Sequence, residues 1–138
     1  MPAQDSIHDE VVNALRKEGW TITHDPLKLE YEEYYLYVDF AAERFVTAER
    51  GLERIAVEVK AFVSPSVIAD LQQAIGQFVM YREILRVIDP GVRLYLAVSI
   101  KVYNHVFSGK ATRLIRERLD MPLIAVDIES EEVLSWLR

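Results

Sequence analysis

The stretch Arg54-Ile-Ala-Val-Glu-Val-Lys60 decides the fold, because apolar residues alternate in it with Glu58 and Lys60. Such alternation predicts a β-strand. Successive side chains of a strand point to opposite faces, so Glu58 and Lys60 share one face. A carboxylate and an ammonium group on one face could hold a metal ion beside a phosphate and place a water nucleophile. Taken alone, an E-x-K pattern is more often just the solvent face of an amphipathic strand.

The preceding predicted strand, Tyr34 to Phe40, adds a second carboxylate. Asp39 interrupts an apolar context there, where a carboxylate is rare unless it is solvated or has a partner. If the two strands pair antiparallel, Asp39 and Glu58 lie side by side, and such oxygen ligands suit Mg²⁺. Lys60 would then stabilise developing negative charge. The alternative is an aspartate that caps a turn at the end of a strand.

The next predicted helix presents a polar row. It begins at Ser64-Pro65, a serine cap followed by proline at the first helical position, and runs to about Leu85. Gln73, Gln77 and Tyr81 recur every four residues and share a face distinct from the apolar stripe. Their neutral donors and acceptors suit a phosphate backbone or a metal-bound water. The simpler interpretation is the polar side of an amphipathic helix.

A first helix is predicted over residues 6–18, with Ser6 and Asp9 at the spacing of a capping box. His8 and Glu10 fall at the edges of its apolar face rather than opposite it. Either side chain could therefore reach a site that borders the core. Both could equally be helix-edge residues that only cover the core.

The remaining pattern completes one domain over residues 1–138, since no repeat or linker interrupts it. The end of the chain reads as either a hairpin strand or a short helix. The element order is α-β-β-β-α-β-α-β, which predicts an α/β fold with a mixed β-sheet flanked by helices. The other predicted elements are strands at Trp20–His24, Arg93–Val98 and within 119–126, and a helix from Ser99 to Gly109.

Composition narrows the functional classes. The chain has no cysteine, no apolar run long enough for a bilayer and no secretory pattern at its start, so we expect a cytoplasmic protein with no membrane partner. It lacks a P-loop, a G-x-G-x-x-G, an H-E-x-x-H and a G-x-S-x-G motif. The net charge of −6 disfavours unaided DNA binding unless a face is locally basic. Lys110, Arg113, Arg116 and Arg118 could form such a face or be ordinary solvated surface.

Together these residues resemble the PD-(D/E)xK (restriction endonuclease-like) nuclease superfamily, whose core order is α-β-β-β-α-β. The resemblance implies that Asp39 and Glu58 bind Mg²⁺ or Mn²⁺, that Lys60 assists the nucleophile and that Glu10 is an additional first-helix carboxylate. The run from Gln77 to Tyr81 resembles the Q-x-x-x-Y motif of RecB-like nucleases. Val38 stands where the superfamily has proline.

Almost the whole chain also resembles a narrower family, the XisH-type fdxN element excision controlling factors. The matching stretches include Gly19–Pro26, Leu36–Asp39, Ile55–Phe62 and Ala74–Arg82. The resemblance implies a cyanobacterial role in programmed excision of a DNA element, with a small XisI-type protein, a site-specific recombinase and DNA as partners. A homodimer would suit two cuts or a two-fold DNA site. Two functions stay open: a metal-dependent DNA endonuclease, and a non-catalytic regulatory or assembly protein that acts through the XisI-type partner.

Overall fold

The computed structural model describes residues 6–138. Its order is one helix, five strands, a long helix, a strand, three helical segments and two strands. The helices are α1 (His8–Lys17), α2 (Val67–Ile88), α3 (Ile100–Val102), a π-helix (Tyr103–Phe107) and α4 (Lys110–Leu119). The strands are β1 (Thr21–His24), β2 (Leu27–Tyr31), β3 (Tyr34–Val38), β4 (Phe40–Thr47), β5 (Gly51–Val59), β6 (Val92–Ser99), β7 (Leu123–Asp127) and β8 (Glu132–Leu137).

Six strands form one mixed sheet in the order β1-β4-β5-β6-β7-β8. The central pairs β5–β6 and β6–β7 are parallel, whereas β1–β4, β4–β5 and β7–β8 are antiparallel. The parallel pairs need helical crossovers, which α2 supplies between β5 and β6. The predicted mixed α/β sheet flanked by helices is therefore confirmed. Strands β2 and β3 form a separate two-stranded hairpin.

The sheet separates two hydrophobic layers. On one face, α1 packs Val11 and Leu15 against Phe40 and Val57. On the other face, α2 and the β2–β3 hairpin bury a second cluster around Phe78. Alternation along β5 explains the division, because Ile55, Val57 and Val59 belong to the first layer and Ala56 to the second. Among the described residues, no helix is both long enough and apolar enough to cross a membrane.

Two strand predictions need correction. The segment Tyr34–Phe40 is not one strand, because the chain bends at Asp39 and passes from the hairpin into the main sheet. The strand that pairs with β5 is thus β4, which begins at Phe40. At the end of the chain, the hairpin alternative is the right one, since β8 pairs with β7.

The helix ends also differ from their predicted positions. Ile7 precedes the first turn of α1 with no side-chain cap, so the capping box at Ser6 is wrong. The cap of α2 is Ser66, whose hydroxyl accepts from the Ala69 amide, rather than Ser64. Helix α4 was not predicted, and it buries no residue.

Candidate active site

Two carboxylates meet where the hairpin enters the main sheet. Phe40 pairs with Val57 in the antiparallel β4–β5 ladder, so Asp39 lies next to Glu58. The Asp39 amide donates a hydrogen bond to Oε1 of Glu58 over 3.3 Å. In return, the Val59 amide donates to Oδ2 of Asp39 over 2.7 Å. The predicted juxtaposition of the two carboxylates is confirmed, and backbone amides fix the position of both.

Glu58 lies in an environment that disfavours the ionised form of its carboxyl group. Its residue surface is only 5% exposed. Burial and the neighbouring Asp39 charge together raise the pKa of Glu58 to about 8, while Lys60 opposes the rise. A carboxyl group with so high a pKa beside a second carboxylate is the kind of arrangement found where a site binds or transfers charge. It marks this corner of the sheet as the candidate site.

Lys60 lies on the same side of the chain as Glu58, immediately after the last residue of β5. Its Nζ is 4.0 Å from Oε2 of Glu58, and its side chain is 15% exposed. The Lys60 amide donates to the carbonyl of Ala97 in β6, which anchors the residue at the edge of the sheet. The ammonium group is therefore near the carboxylates yet still reaches solvent, where a phosphate group could approach it.

His8 approaches the same site from α1. Its ring is 2% exposed, and Nε2 lies 2.9 Å from Oδ2 of Asp25. The other ring nitrogen, Nδ1, is 4.0 Å from Oδ1 of Asp39 and makes no hydrogen bond within the described residues. The predicted role of His8 in DNA binding stays a prediction, but a side chain this buried offers little surface to DNA.

The polar residues predicted to share one face of α2 lie in three different environments. Tyr81 is 7% exposed and belongs to the second hydrophobic layer, so its assignment to a purely polar face is wrong. Burial, with smaller contributions from the charges of Glu58 and Asp39, raises the pKa of Tyr81 to about 12, which places its hydroxyl in their field. Gln77, one turn earlier, buries an Oε1 with no hydrogen-bond partner in residues 6–138. Gln73 is exposed.

The pair Asp39 and Glu58 has the chemistry that a divalent cation needs. Mg²⁺ commonly takes one or two carboxylates and completes its shell with waters and phosphate oxygens. Over the described range, no group of three or more His, Asp or Glu side chains could hold a metal ion. A cation here would therefore use two carboxylates and keep open positions. The orphan oxygen of Gln77 could accept from a bound water.

Glu10 and Asp25 show where the sequence was less informative. Glu10 is partly exposed on α1 and makes no hydrogen bond or ion pair with the described residues, so its catalytic role stays a prediction. Asp25 was missed, because it was interpreted only as the start of a loop. Its contact with His8 joins residues 17 positions apart, and no local pattern announces such a contact.

The fold and the site together define a class: an α/β protein with a six-stranded mixed sheet that carries two carboxylates and a lysine at one corner. Within that class, the chain belongs to the XisH family, whose model, described as XisH protein, matches residues 1–134. No functionally curated protein matches the chain.

Two solved structures are similar over nearly the whole chain. The first is an XisH family protein from Nostoc punctiforme PCC 73102, with 36% identity and a TM-score of 0.88 over 97% of this chain and 100% of that chain. The second is a fdxN element excision controlling factor protein from Anabaena variabilis, also with 36% identity and a TM-score of 0.88. It covers 98% of this chain and 100% of that chain.

Proposed function

We propose that this protein acts in the programmed excision of a DNA element, as a metal-dependent endonuclease of the PD-(D/E)xK type. The observation that carries the proposal is the pair of backbone-held carboxylates, Asp39 and Glu58, with the Lys60 ammonium 4.0 Å from Glu58. The role in excision is supported by the similarity to the Anabaena variabilis excision controlling factor.

The carboxylate pair is unlike an ordinary structural feature. A buried carboxyl with a like charge beside it destabilises the fold whenever both groups are ionised. Lys60 offsets this only in part, because the pKa of Glu58 still rises to about 8. A bound divalent cation would remove the repulsion between the two carboxylates, which would explain why they lie side by side.

In this proposal Asp39 and Glu58 hold Mg²⁺ or Mn²⁺. The bound ion would acidify an attacking water and clamp the scissile phosphate. Lys60, whose side chain is 15% exposed, would stabilise the negative charge that develops on the phosphate. Gln77 would accept a hydrogen bond from water at the site through its orphan Oε1, and the Tyr81 hydroxyl would stay protonated and remain a donor.

The partners belong to the same proposal. They are DNA, a small XisI-type protein and a site-specific recombinase, and the reaction would take place in the cytoplasm. A homodimer would supply two cuts from two equivalent sites.

A second function is favoured by one observation, the net charge of −6. An acidic chain starts at a disadvantage with nucleic acid, since phosphate contacts dominate affinity. In this alternative the protein is a regulatory or assembly factor that keeps the sheet and works by binding its XisI-type partner.

Cleavage by matched variants separates the two functions. Single-stranded, duplex and branched DNA are incubated with Mn²⁺ and wild type, Glu58→Gln or Glu132→Gln, each with and without the XisI-type protein. Glu132 is an exposed carboxylate at the start of β8, so its variant controls for the same chemical change. For a nuclease we expect a loss of about a hundredfold or more in Glu58→Gln alone. No cleavage by wild type in any condition, with partner binding intact, supports the regulatory protein.

A further inference from the structure

Positive charge is concentrated in one stretch of this acidic chain. Residues 100–119, here called the basic segment, comprise α3, the π-helix and α4. The basic segment contains five Lys and Arg residues and one Glu, so it carries a formal charge of +4 although the whole chain carries −6. The five are Lys101, Lys110, Arg113, Arg116 and Arg118.

These charges are not neutralised locally. Within residues 6–138, seven of the eleven other Lys and Arg residues have a carboxylate within 4.0 Å. In the same range, none of the five in the basic segment forms an ion pair; four are exposed, and Arg116 is partly exposed. Unpaired exposed charges of one sign produce a local potential that attracts the opposite charge. The basic segment therefore presents a positive surface on a negative protein.

Helix stability does not explain the two charges that open α4. Lys110 and Arg113 occupy its first turn, which contains no acidic residue. Cations there oppose the helix dipole, whereas Arg116 and Arg118 in the last turn complement it. Lys110 and Arg113 therefore destabilise the helix, whereas Arg116 and Arg118 stabilise it. The stability of α4 therefore does not explain the charges of Lys110 and Arg113.

The basic segment begins beside the carboxylate site. Strands β5 and β6 are parallel, with Val59 opposite Ala97, so both strands end at one edge of the sheet. Lys101 is four residues beyond Ala97, a chain reach of roughly 14 Å at most. The ring of Phe62, two residues after Lys60, packs edge-on against Phe107 of the π-helix with centroids 5.7 Å apart. This contact ties the basic segment to the strand that carries Glu58 and Lys60.

We propose that the basic segment binds the phosphate backbone of duplex DNA and directs one strand to Asp39 and Glu58. This proposal rests on the proposed function, because the nearby phosphodiester chemistry is the reason to favour DNA over an acidic protein. From Lys110 to Arg118 the helix extends about 12 Å. Laid along the duplex axis, that length covers roughly three to four phosphates of one strand, each of which rises about 3.4 Å along the axis. The binding is independent of sequence, since phosphates carry no base information.

The test measures binding rather than cleavage. A fluorescein-labelled duplex is titrated in EDTA at several salt concentrations, and binding is followed by anisotropy. The test variant is Lys110→Ala with Arg113→Ala, and the matched control is Arg16→Ala with Arg50→Ala, two exposed residues that form no ion pair within the described residues. Both double variants change the net charge equally. Far-UV circular dichroism and thermal melting check that each one folds.

We expect the test variant to bind at least about tenfold more weakly than wild type near 0.1 M salt. The slope of log K against log salt should fall in magnitude by about 1.8, or 0.9 for each lost phosphate contact. The control should stay within about twofold of wild type. Equal losses in both variants, no loss in the test variant, or no salt-dependent binding by wild type would each overturn the proposal. So would binding of poly-glutamate without binding of DNA.

Failure here is distinguishable from failure of the proposed function. Glu58→Gln adds no negative charge to the site and should bind DNA at least as well as wild type. Binding through the basic segment without cleavage by wild type would refute the nuclease and leave the basic segment in place. Unaffected binding and unaffected cleavage in the Lys110 and Arg113 variant would refute DNA binding by the basic segment and leave the nuclease in place.

Discussion

Replacing Glu58 by glutamine should stabilise the protein at alkaline pH and leave it almost unchanged at acidic pH. Glutamine keeps an oxygen that accepts from the Asp39 amide, as Oε1 of Glu58 does now. It cannot ionise, so it resembles the protonated form of Glu58. Because the folded pKa is raised to about 8 from the ordinary value of 4.5, the folded state binds the Glu58 proton more tightly than the unfolded state does. Wild-type stability therefore falls as the pH rises from 4.5 to 8.

The pKa difference sets the size of the effect. About 1.4 kcal/mol for each pH unit gives a ceiling of about 5 kcal/mol above pH 8. Water penetration and relaxation of buried charges reduce such values in real proteins, so we expect roughly 2–4 kcal/mol. At pH 5 the difference should be below about 1 kcal/mol, because pH 5 is only half a unit above the ordinary pKa of 4.5 and little of the loss of stability has accumulated there. For a domain of this size, the alkaline difference corresponds to a rise in Tm of about 10 °C.

Thermal and urea unfolding in EDTA, at pH 5 and pH 8.5, measure the effect directly. Glu132→Gln makes the same chemical change at an exposed position and should show no comparable pH-dependent gain. If Glu58→Gln is no more stable than wild type at pH 8.5, or gains equally at both pH values, then Glu58 does not bear the charge strain derived from its burial and from Asp39.

Three further predictions concern the metal, the core and a helix cap. In thermal melts at pH 8, Mn²⁺ at a hundred times its Kd should stabilise wild type by about 2.7 kcal/mol and Glu58→Gln by much less. An equal gain in both proteins would contradict a cation held by Glu58. Phe78 is fully buried in the second layer, so Phe78→Ala should cost about 3–5 kcal/mol in urea unfolding. Ser66→Ala removes the acceptor of the Ala69 amide and should cost about 1 kcal/mol by the same assay, whereas an unchanged midpoint would show that Ser66 is not the cap.

The sheet centre and the carboxylate pair could be predicted because they depend on local periodicity. Alternation in Arg54–Lys60 placed Glu58 and Lys60 on one face, and an antiparallel partner strand was enough to bring Asp39 beside Glu58. The hydrogen bonds from the Asp39 amide to Glu58 and from the Val59 amide to Asp39 then follow from the positions of these residues at the end of the ladder. A pattern of period two contains this information without any knowledge of distant contacts.

The rest of the site depends on contacts that no pattern encodes. Tyr34–Phe40 is continuous in strand propensity, yet the chain bends at Asp39, whose side chain accepts the Val59 amide of another strand. The approach of His8 to Asp25 joins a helix to a loop. Helix α4 leaves its apolar residues Leu114 and Ile115 exposed, so no buried face joins it to either hydrophobic layer.

The charge on Glu58 also separates the two candidate functions by a physical argument. Glutamine at this position would keep the hydrogen bond from Asp39 and relieve the repulsion, so the fold itself gains nothing from the carboxylate. A protein that works only through its shape should therefore bind its partner equally well, and fold better at alkaline pH, with Gln at position 58. In a nuclease, the same replacement should also raise the stability at alkaline pH, but it should lower the rate of catalysis, as is typical of strained active sites. Measuring partner affinity, stability and cleavage on the same Glu58→Gln preparation decides between them, because the two functions predict opposite outcomes only for cleavage.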